Sequence, residues 1–333
     1  NQIQILKNGI QKILSLILTV AMVLSFVVTI PITANAEPPD YNCKIVETGV
    51  EYASLDEAID AAAFDEDTIK LLTDIDYTGE LHLIADTWIN LNGFSLDVVN
   101  DSGIALYADG YDLDISGTGS LNVTGTTFGV FIRGGASVEV TNATATAVAG
   151  KAVYALDPNC RVTILGNATA NGQNGTAVYV EGSGYSSATI YGDVYAQGTG
   201  GIGVCAVSES EITVMGRIYA TNYLQVGALI KEEGEYTTLE NNYFIYSDGT
   251  ATVRARQEVC ALNGTPYLFL EDALADAESG DTITLLENIR YVNDIVLTDT
   301  DLHFDLDTYK LDVGRTGAEG SLKVDGGTLT IDE

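Results

Sequence analysis

Basic residues are scarce in this sequence. Its 333 residues include 15 Lys and Arg against 47 Asp and Glu, which gives a formal net charge of −32 at pH 7. A nucleic-acid backbone would be repelled by this charge, so the composition excludes a nucleic-acid partner. The same acidity is typical of a well-solvated exported protein, and it would attract calcium.

The sequence also has little that could hold a metal. Its two histidines, His82 and His303, lie far apart, and no C-x-x-C spacing occurs. We therefore predict no zinc site and no resident cofactor other than a calcium ion. Export would permit disulfides, but four cysteines allow three pairings and the sequence does not choose among them. They are Cys43, Cys160, Cys205 and Cys260.

Proline is rare, with five residues, while 46% of the chain is apolar. This composition excludes a disordered protein and supports a large core. One long apolar run covers residues 13–30, after Lys7 and Lys12 and before "PITANAEPP". It predicts a signal peptide over residues 1–36 that is cleaved after Ala36, with an uncleaved anchor as the alternative. Residues 37–50 would be a short lead-in to a secreted or cell-surface protein with no membrane contact of its own.

A short pattern recurs between Asp67 and Ser247. Bursts of alternating apolar residues are separated by Gly, Asn, Asp, Ser and Thr, and one burst returns about every 24 residues. Its copies are "LHLIA", "ALYAD", "VFIRG", "AVYAL", "AVYVE", "VCAVS" and "ALIKE". Two further bursts occur in each period. Three strands per period predict an all-β parallel β-helix of about seven coils, in which each strand pairs with its copies above and below.

This arrangement resembles the pectin-lyase-like family of right-handed β-helices, and the likeness covers Asp67 to Ser247. It implies a right-handed coil. That family contains polysaccharide lyases and glycoside hydrolases, and also bacterial surface proteins and adhesins without known chemistry. Its lyases use calcium held by carboxylates together with a basic residue. A similar set here would be Arg133, Lys151 and Asp157.

The ends of the solenoid have their own signal. In "SLDEAIDAAA", Ser54 and Glu57 form a capping-box pattern, which predicts a helix over residues 54–63 that covers the first coil of a module spanning residues 51–255. The stretch from Tyr52 to Ile75 is echoed from Tyr267 to Ile289. The echo predicts a second, similar module over residues 256–333. Such cap-and-coil units look like those of repeat-bearing surface proteins of Gram-positive bacteria.

Alternation along the first burst predicts which side chains face outward. Its apolar flanking residues should fill the core, and its central residues should form an aromatic row on the surface, made of Tyr107, Phe131, Tyr154 and Tyr179. Asp109, Arg133 and Glu181 would lie beside the row. One interpretation is a platform on which sugar rings stack, with these polar residues bonding to hydroxyls. The other is a purely structural row in which the rings stabilise one another.

The second burst predicts another outward row: Asn90, Asp114, Glu139, Thr163, Thr189 and Thr213. Asp114 and Glu139 would lie one coil apart and repel each other. Either a calcium ion lies between them or both are solvated carboxylates.

These features favour a non-catalytic binding or adhesion protein. The predicted partner is a glycan or another ligand on a host or cell-wall surface, and the chain would be monomeric within a longer protein. One alternative is a lyase or hydrolase acting on acidic polysaccharide, although the negative field of the protein opposes an anionic substrate. Another is a structural spacer of a larger surface protein.

Overall fold

The computed structural model describes residues 41–62, 67–182, 184–240, 242–315, 318–319 and 322–332. The predicted signal peptide and its cleavage site lie outside these residues. Tyr41–Glu333 forms one compact unit. Within the described ranges, neither helix is long and apolar enough to cross a bilayer.

The chain begins with a cap made of β1 (Cys43–Ile45), β2 (Glu51–Tyr52) and α1 (Leu55–Ala62). β1 pairs antiparallel both with β2 and with the first strand of the solenoid. At the start of α1, the Ser54 hydroxyl accepts a hydrogen bond from the backbone N–H of Glu57 at 3.3 Å, as the capping pattern predicts. The apolar face of α1 is buried, so the helix closes the end of the core. Ala63, the last residue of the predicted helix, lies outside the described residues.

The coils follow, and each contributes one strand to each of three sheets, A, B and C, in that order. The three strands per coil and their parallel pairing were both predicted correctly. The strands are β3 (Thr68–Leu71), β4 (Ile75–Thr78), β5 (Leu81–Leu83), β6 (Thr87–Asn90), β7 (Ser95–Asn100), β8 (Ile104–Asp109), β9 (Leu113–Ser116), β10 (Ser120–Gly125), β11 (Phe128–Arg133), β12 (Ser137–Val140), β13 (Asn142–Ala145), β14 (Lys151–Leu156), β15 (Arg161–Ile164), β16 (Ala168–Ala170), β17 (Thr176–Glu181), β18 (Ser187–Ile190), β19 (Val194–Ala196), β20 (Ile202–Val207), β21 (Glu211–Val214), β22 (Ile218–Ala220) and β23 (Asn222–Val226).

Small residues stack where five successive coils turn into sheet C. In β11, Gly129 and Val130 both face inward, and a Cβ on Gly129 would lie 2.7 Å from the carbonyl oxygen of Ala152. The Gly129 site has no room for a side chain, and the other members of its column are also small: Ala105, Ala152, Ala177 and Gly203. Two consecutive inward residues shift the alternation, so the residues on either side of the pair both face outward.

The first module ends in hairpins formed by β24 (Leu229–Lys231), β25 (Thr238–Glu240), β26 (Tyr243–Ser247) and β27 (Thr252–Arg256). The prediction that "ALIKE" supplies the next rung was wrong. The strand that pairs in parallel with β20 is β23, so Gln225 lies beside Cys205. Gly227, with φ of 57°, then reverses the chain, and β24 returns antiparallel to β23.

The second module repeats the topology of the first cap. Its first strand pairs antiparallel with the second and the third, and the third pairs in parallel with the corresponding strand of the next coil. Its buried core, Val259–Phe304, is separate from that of the first module. The elements are β28 (Cys260–Leu262), β29 (Thr265–Tyr267), α2 (Leu270–Asp276), β30 (Asp281–Leu285), β31 (Ile289–Tyr291), β32 (Ile295–Thr298), β33 (Leu302–Asp305), β34 (Leu311–Arg315), β35 (Ala318–Glu319), β36 (Leu322–Asp325) and β37 (Leu329–Asp332).

The whole is an all-β parallel solenoid of about ten turns with two short helices, which fits the right-handed β-helix class. About seven coils were expected. The exact module boundaries near residues 51, 255 and 256 stay a prediction. The separate cores support a division into two modules.

Candidate functional site

The four predicted rings lie in register on the outside of sheet C. Together with His82 they form a series that we call the aromatic ladder: His82, Tyr107, Phe131, Tyr154 and Tyr179, paired rung to rung. The residues that flank each ring in its strand, such as Leu106 and Ala108, are fully buried. The rings themselves are partly exposed.

The rings stack on one another, and the regular stack is interrupted at one end. The ring centroids of Tyr107 and Phe131 are 5.4 Å apart with planes 26° apart, and those of Phe131 and Tyr154 are 5.0 Å apart with planes 15° apart. Tyr154 and Tyr179 instead meet edge to face, 5.2 Å apart at 85°. In an edge-to-face pair, one ring touches its neighbour only through its edge, so that contact leaves both of its faces uncovered.

Two further side chains, Phe128 and Lys151, lie on this surface, and their outward position beside the ladder was not predicted. Phe128 packs 5.4 Å from Phe131 and 5.3 Å from Tyr154. The Lys151 ammonium lies 5.1 Å from the centre of the Tyr154 ring and 5.2 Å from that of Tyr179, within cation–π distance. Both residues stand three positions before a ladder residue, and the signal that could have found them is the small residue that follows each, Gly129 or Ala152.

The predicted flanking residues lie beside the ladder and bond to it. The Tyr107 hydroxyl donates to Asp109 at 3.3 Å, and the Tyr179 hydroxyl donates to Glu181 at 3.1 Å. Arg133 lies between two carboxylates, with Nε 3.5 Å from both Asp109 and Asp157.

Burial and nearby carboxylates raise the pKa values of the ladder phenols. For Tyr154, loss of solvation is the larger cause and the charges of Glu181 and Asp157 add to it. Tyr107 and Tyr179 are shifted in the same direction, again chiefly by burial. These hydroxyls therefore stay protonated and remain hydrogen-bond donors well above neutral pH.

The ladder ends at Tyr179. The next rung carries Cys205, whose side chain is buried, and burial raises the pKa of this thiol to about 12. All four cysteines are free thiols in buried positions, so none of them forms a disulfide.

On sheet A, the predicted outward row differs in its first member. The residue paired with Asp114 is Trp88, whereas Asn90 pairs with Ser116. The cause is the placement of β6, which begins at Thr87 opposite Leu113. Asp114 and Glu139 lie on adjacent strands, β9 and β12. Among the described residues, no group of three or more His, Cys, Asp or Glu could hold a metal ion, so calcium at this pair stays a prediction.

A comparison with protein families matches part of the chain. Residues 78–262 match the family described as NosD, periplasmic copper-binding protein. The chain belongs to this family. NosD proteins are right-handed β-helices, in agreement with the fold. No curated protein and no solved structure matches the chain significantly.

The described residues of this NosD-family chain do not fit a copper ion. Copper in proteins is bound by thiolate, thioether or imidazole groups. Here the thiols are buried separately with raised pKa values, which disfavours the thiolate form that binds metal. His82 and His303 lie in different modules, next to Glu80 and Asp332. The thioether sulfur of Met215 accepts a hydrogen bond from Tyr243 at 2.7 Å.

Proposed function

We propose that this protein binds a glycan at the aromatic ladder and does not turn it over. The observation that carries the proposal is the end of the ladder at Tyr154 and Tyr179. There the ring stack is broken, the Lys151 ammonium lies over both rings, and Glu181 is within hydrogen-bond distance of a phenol.

This combination suits a sugar. The partly exposed rings of Tyr154 and Tyr179 pack against the C–H face of a pyranose, while Lys151 donates to hydroxyl oxygens and Glu181 accepts from hydroxyl groups. The remaining rungs, where the rings cover one another, make the surface rigid. Sugar units can therefore meet a fixed series of ring edges along the solenoid at a spacing close to that of the strands.

We place this binding outside the cytoplasm. The predicted signal peptide supports export, and the NosD family's description names the periplasm. Display on the surface of a Gram-positive cell, as an adhesin, is the corresponding proposal from the cap-and-coil repeat.

A glycan array followed by calorimetric titration tests the proposal. We expect the double variant Tyr154→Ser, Tyr179→Ser to lose at least about tenfold in affinity for the glycan that the wild-type chain selects. Tyr111→Ser is the matched control, because Tyr111 is exposed and lies outside the ladder. Equal binding by all three proteins would mean that the ladder is only structural and would favour a spacer.

An assay for cleavage of the bound polysaccharide distinguishes binding from catalysis. Pectin, alginate or another bound polysaccharide is incubated with the protein and calcium, and ultraviolet absorbance reports new unsaturated ends. We expect no increase. An increase that is lost in Arg133→Gln or Lys151→Gln would support a lyase and contradict the proposal.

A further inference from the structure

A cleft opens where the second module meets the last coils of the first. It encloses about 580 Å³, within the range of small-molecule sites, and we call it the junction cleft. Its lining includes three tyrosines and three aspartates: Tyr191, Tyr219, Tyr267, Asp193, Asp272 and Asp276. It lies away from the aromatic ladder, which is on sheet C.

The tyrosine wall of the junction cleft presents open ring surface. Tyr219 stacks on Tyr195 with centroids 5.0 Å apart and planes only 7° apart. Tyr219 belongs to β22, the edge strand of sheet B, so no further rung of that sheet covers its other side. It is 44% exposed, and Tyr191 is 52% exposed. Unlike the rings inside the aromatic ladder, these two are available to a ligand.

Two of the three carboxylates of the cleft accept hydrogen bonds from phenols. The Tyr267 hydroxyl donates to Asp276 at 3.0 Å, and the Tyr195 hydroxyl donates to Asp193 at 2.8 Å. Asp272 and Asp276 are four residues apart on α2, so they lie on the same face of the helix. A carboxylate has about four acceptor positions, so Asp193 and Asp276 retain capacity for ligand donors.

Among the described residues that line the cleft, the one basic side chain is Arg217, and it already has partners. The Arg217 guanidinium donates to the backbone carbonyl of Pro266, and its Nε lies 3.7 Å from Glu258. These contacts join the two modules, and the Glu258 carboxylate offsets part of the arginine charge. Arg217 also interacts with Asp193, so the charge that a ligand meets is mainly that of Asp272 and Asp276, which repel anions and attract cations.

We propose that the junction cleft binds an amino sugar. The pyranose ring packs on Tyr219 and Tyr191, and its protonated amine lies against Asp272 and Asp276, where both the carboxylates and the aromatic rings favour a cation. This site does not depend on the proposed role of the aromatic ladder.

Titration calorimetry of the full chain with three disaccharides tests this assignment: the disaccharide of glucosamine, cellobiose and digalacturonate. We expect the glucosamine disaccharide to bind at least about fivefold more tightly than neutral cellobiose, and digalacturonate to give no binding. Digalacturonate binding as tightly as the amino sugar, or no binding of the amino sugar, would overturn the proposal.

Variants locate the binding in the cleft. Asp272→Asn should weaken the glucosamine disaccharide about fivefold and leave cellobiose within about twofold, whereas Tyr219→Ala should weaken both. Tyr309→Ser, an exposed tyrosine elsewhere on the second module, should change neither. Thermal melting of each variant reports folding. The double variant Tyr154→Ser, Tyr179→Ser should keep amino-sugar binding, which separates a failure of this site from a failure of the ladder. Unchanged amino-sugar binding in a folded Tyr219→Ala or Asp272→Asn protein would refute binding in the cleft.

Discussion

The side-chain amide of Asn142 donates a hydrogen bond to Oδ1 of Asn122 at 2.8 Å, although 20 residues separate them along the chain. Asn122 in turn donates to Asp97 at 2.7 Å. In the other direction, Oδ1 of Asn142 accepts from the backbone N–H of Asn167 at 2.7 Å. This polar ladder ties successive coils together outside the apolar core and fixes their register.

The polar ladder predicts a pH-dependent variant. Asn122→Asp places a second carboxylate beside Asp97 and removes the donor between them, so the folded protein raises the pKa of one of the two. A raised folded-state pKa means that stability is retained below the unfolded pKa and is lost as the pH rises. We expect a loss of about 1 to 3 kcal/mol at neutral pH that shrinks in acid, measured by urea unfolding across pH.

Asn122→Leu is the control for that experiment. It removes the same hydrogen bonds without adding a second carboxylate, so its destabilisation should vary less with pH than that of Asn122→Asp. A pH-independent loss in Asn122→Asp would contradict the predicted coupling to Asp97.

The small-residue column predicts that adding one methyl group at Gly129 destabilises the fold. Gly129→Ala brings a Cβ to within 2.7 Å of Ala152 O and 2.8 Å of Thr144 O, both backbone atoms. We expect a loss of about 1 to 3 kcal/mol in the free energy of unfolding. Gly103→Ala meets its nearest neighbour, an Asn100 side-chain atom, at 3.7 Å and should be nearly neutral. Equal melting temperatures of the two variants would show that the Gly129 site accommodates alanine.

The core of sheet C predicts the effect of a buried charge. Val178 is fully buried between Val153 and Val204 of the adjacent coils. Val178→Asp should cost about 3 to 5 kcal/mol, because the carboxylate has no partner there. Val148→Asp, at a position 68% exposed, is the matched control and should leave the melting temperature close to that of the wild type. A folded Val178→Asp protein with wild-type stability would contradict the inward orientation of this side chain.

The buried thiols predict a loss of stability in alkali. Burial raises the pKa of Cys205 and Cys260 from 9.0 to about 12, whereas the unfolded chain ionises near the lower value. The contribution of the two protonated thiols to the free energy of unfolding is therefore complete below pH 9 and declines as the pH rises toward 12. We expect the melting temperature to decrease over this range, with a smaller decrease in Cys205→Ala.

Thiol labelling gives an independent check of the same burial. With Ellman's reagent at mildly alkaline pH, the native protein should react far more slowly than the denatured chain. Reaction of the native thiols at the rate of a free cysteine would refute the buried, protonated state.

Much of this fold could be predicted from the sequence, because a period of about 24 residues leaves few arrangements that satisfy every strand. Local irregularities were not predictable in the same way. Leu229 fits the apolar rhythm, yet the turn at Gly227 places it in a hairpin. Asn90 follows the spacing of its row, but Trp88 takes the position beside Asp114 because strand pairing, not spacing alone, sets the register.

The aromatic ladder was predictable for the same reason as the core, since alternation decides which side chains face outward. The outward position of Phe128 and Lys151 beside the ladder was not predicted, because strict alternation would turn them inward. The two consecutive inward residues at the small-residue column are what bring them to the surface. The junction cleft required the packing of two modules through Arg217 and Pro266, two residues 49 positions apart. No local sequence pattern contains that information.

The hairpins that end the first module have a consequence for how such a protein can lengthen. Because β26 pairs antiparallel with β27, the first module's A sheet does not pass into the next module, which begins again with its own helix and its own core. The protein can thus gain or lose whole modules between existing ones. A shift in strand register inside one module stays confined to that module. Each new boundary of this kind would also create another crevice of the type that holds Tyr219.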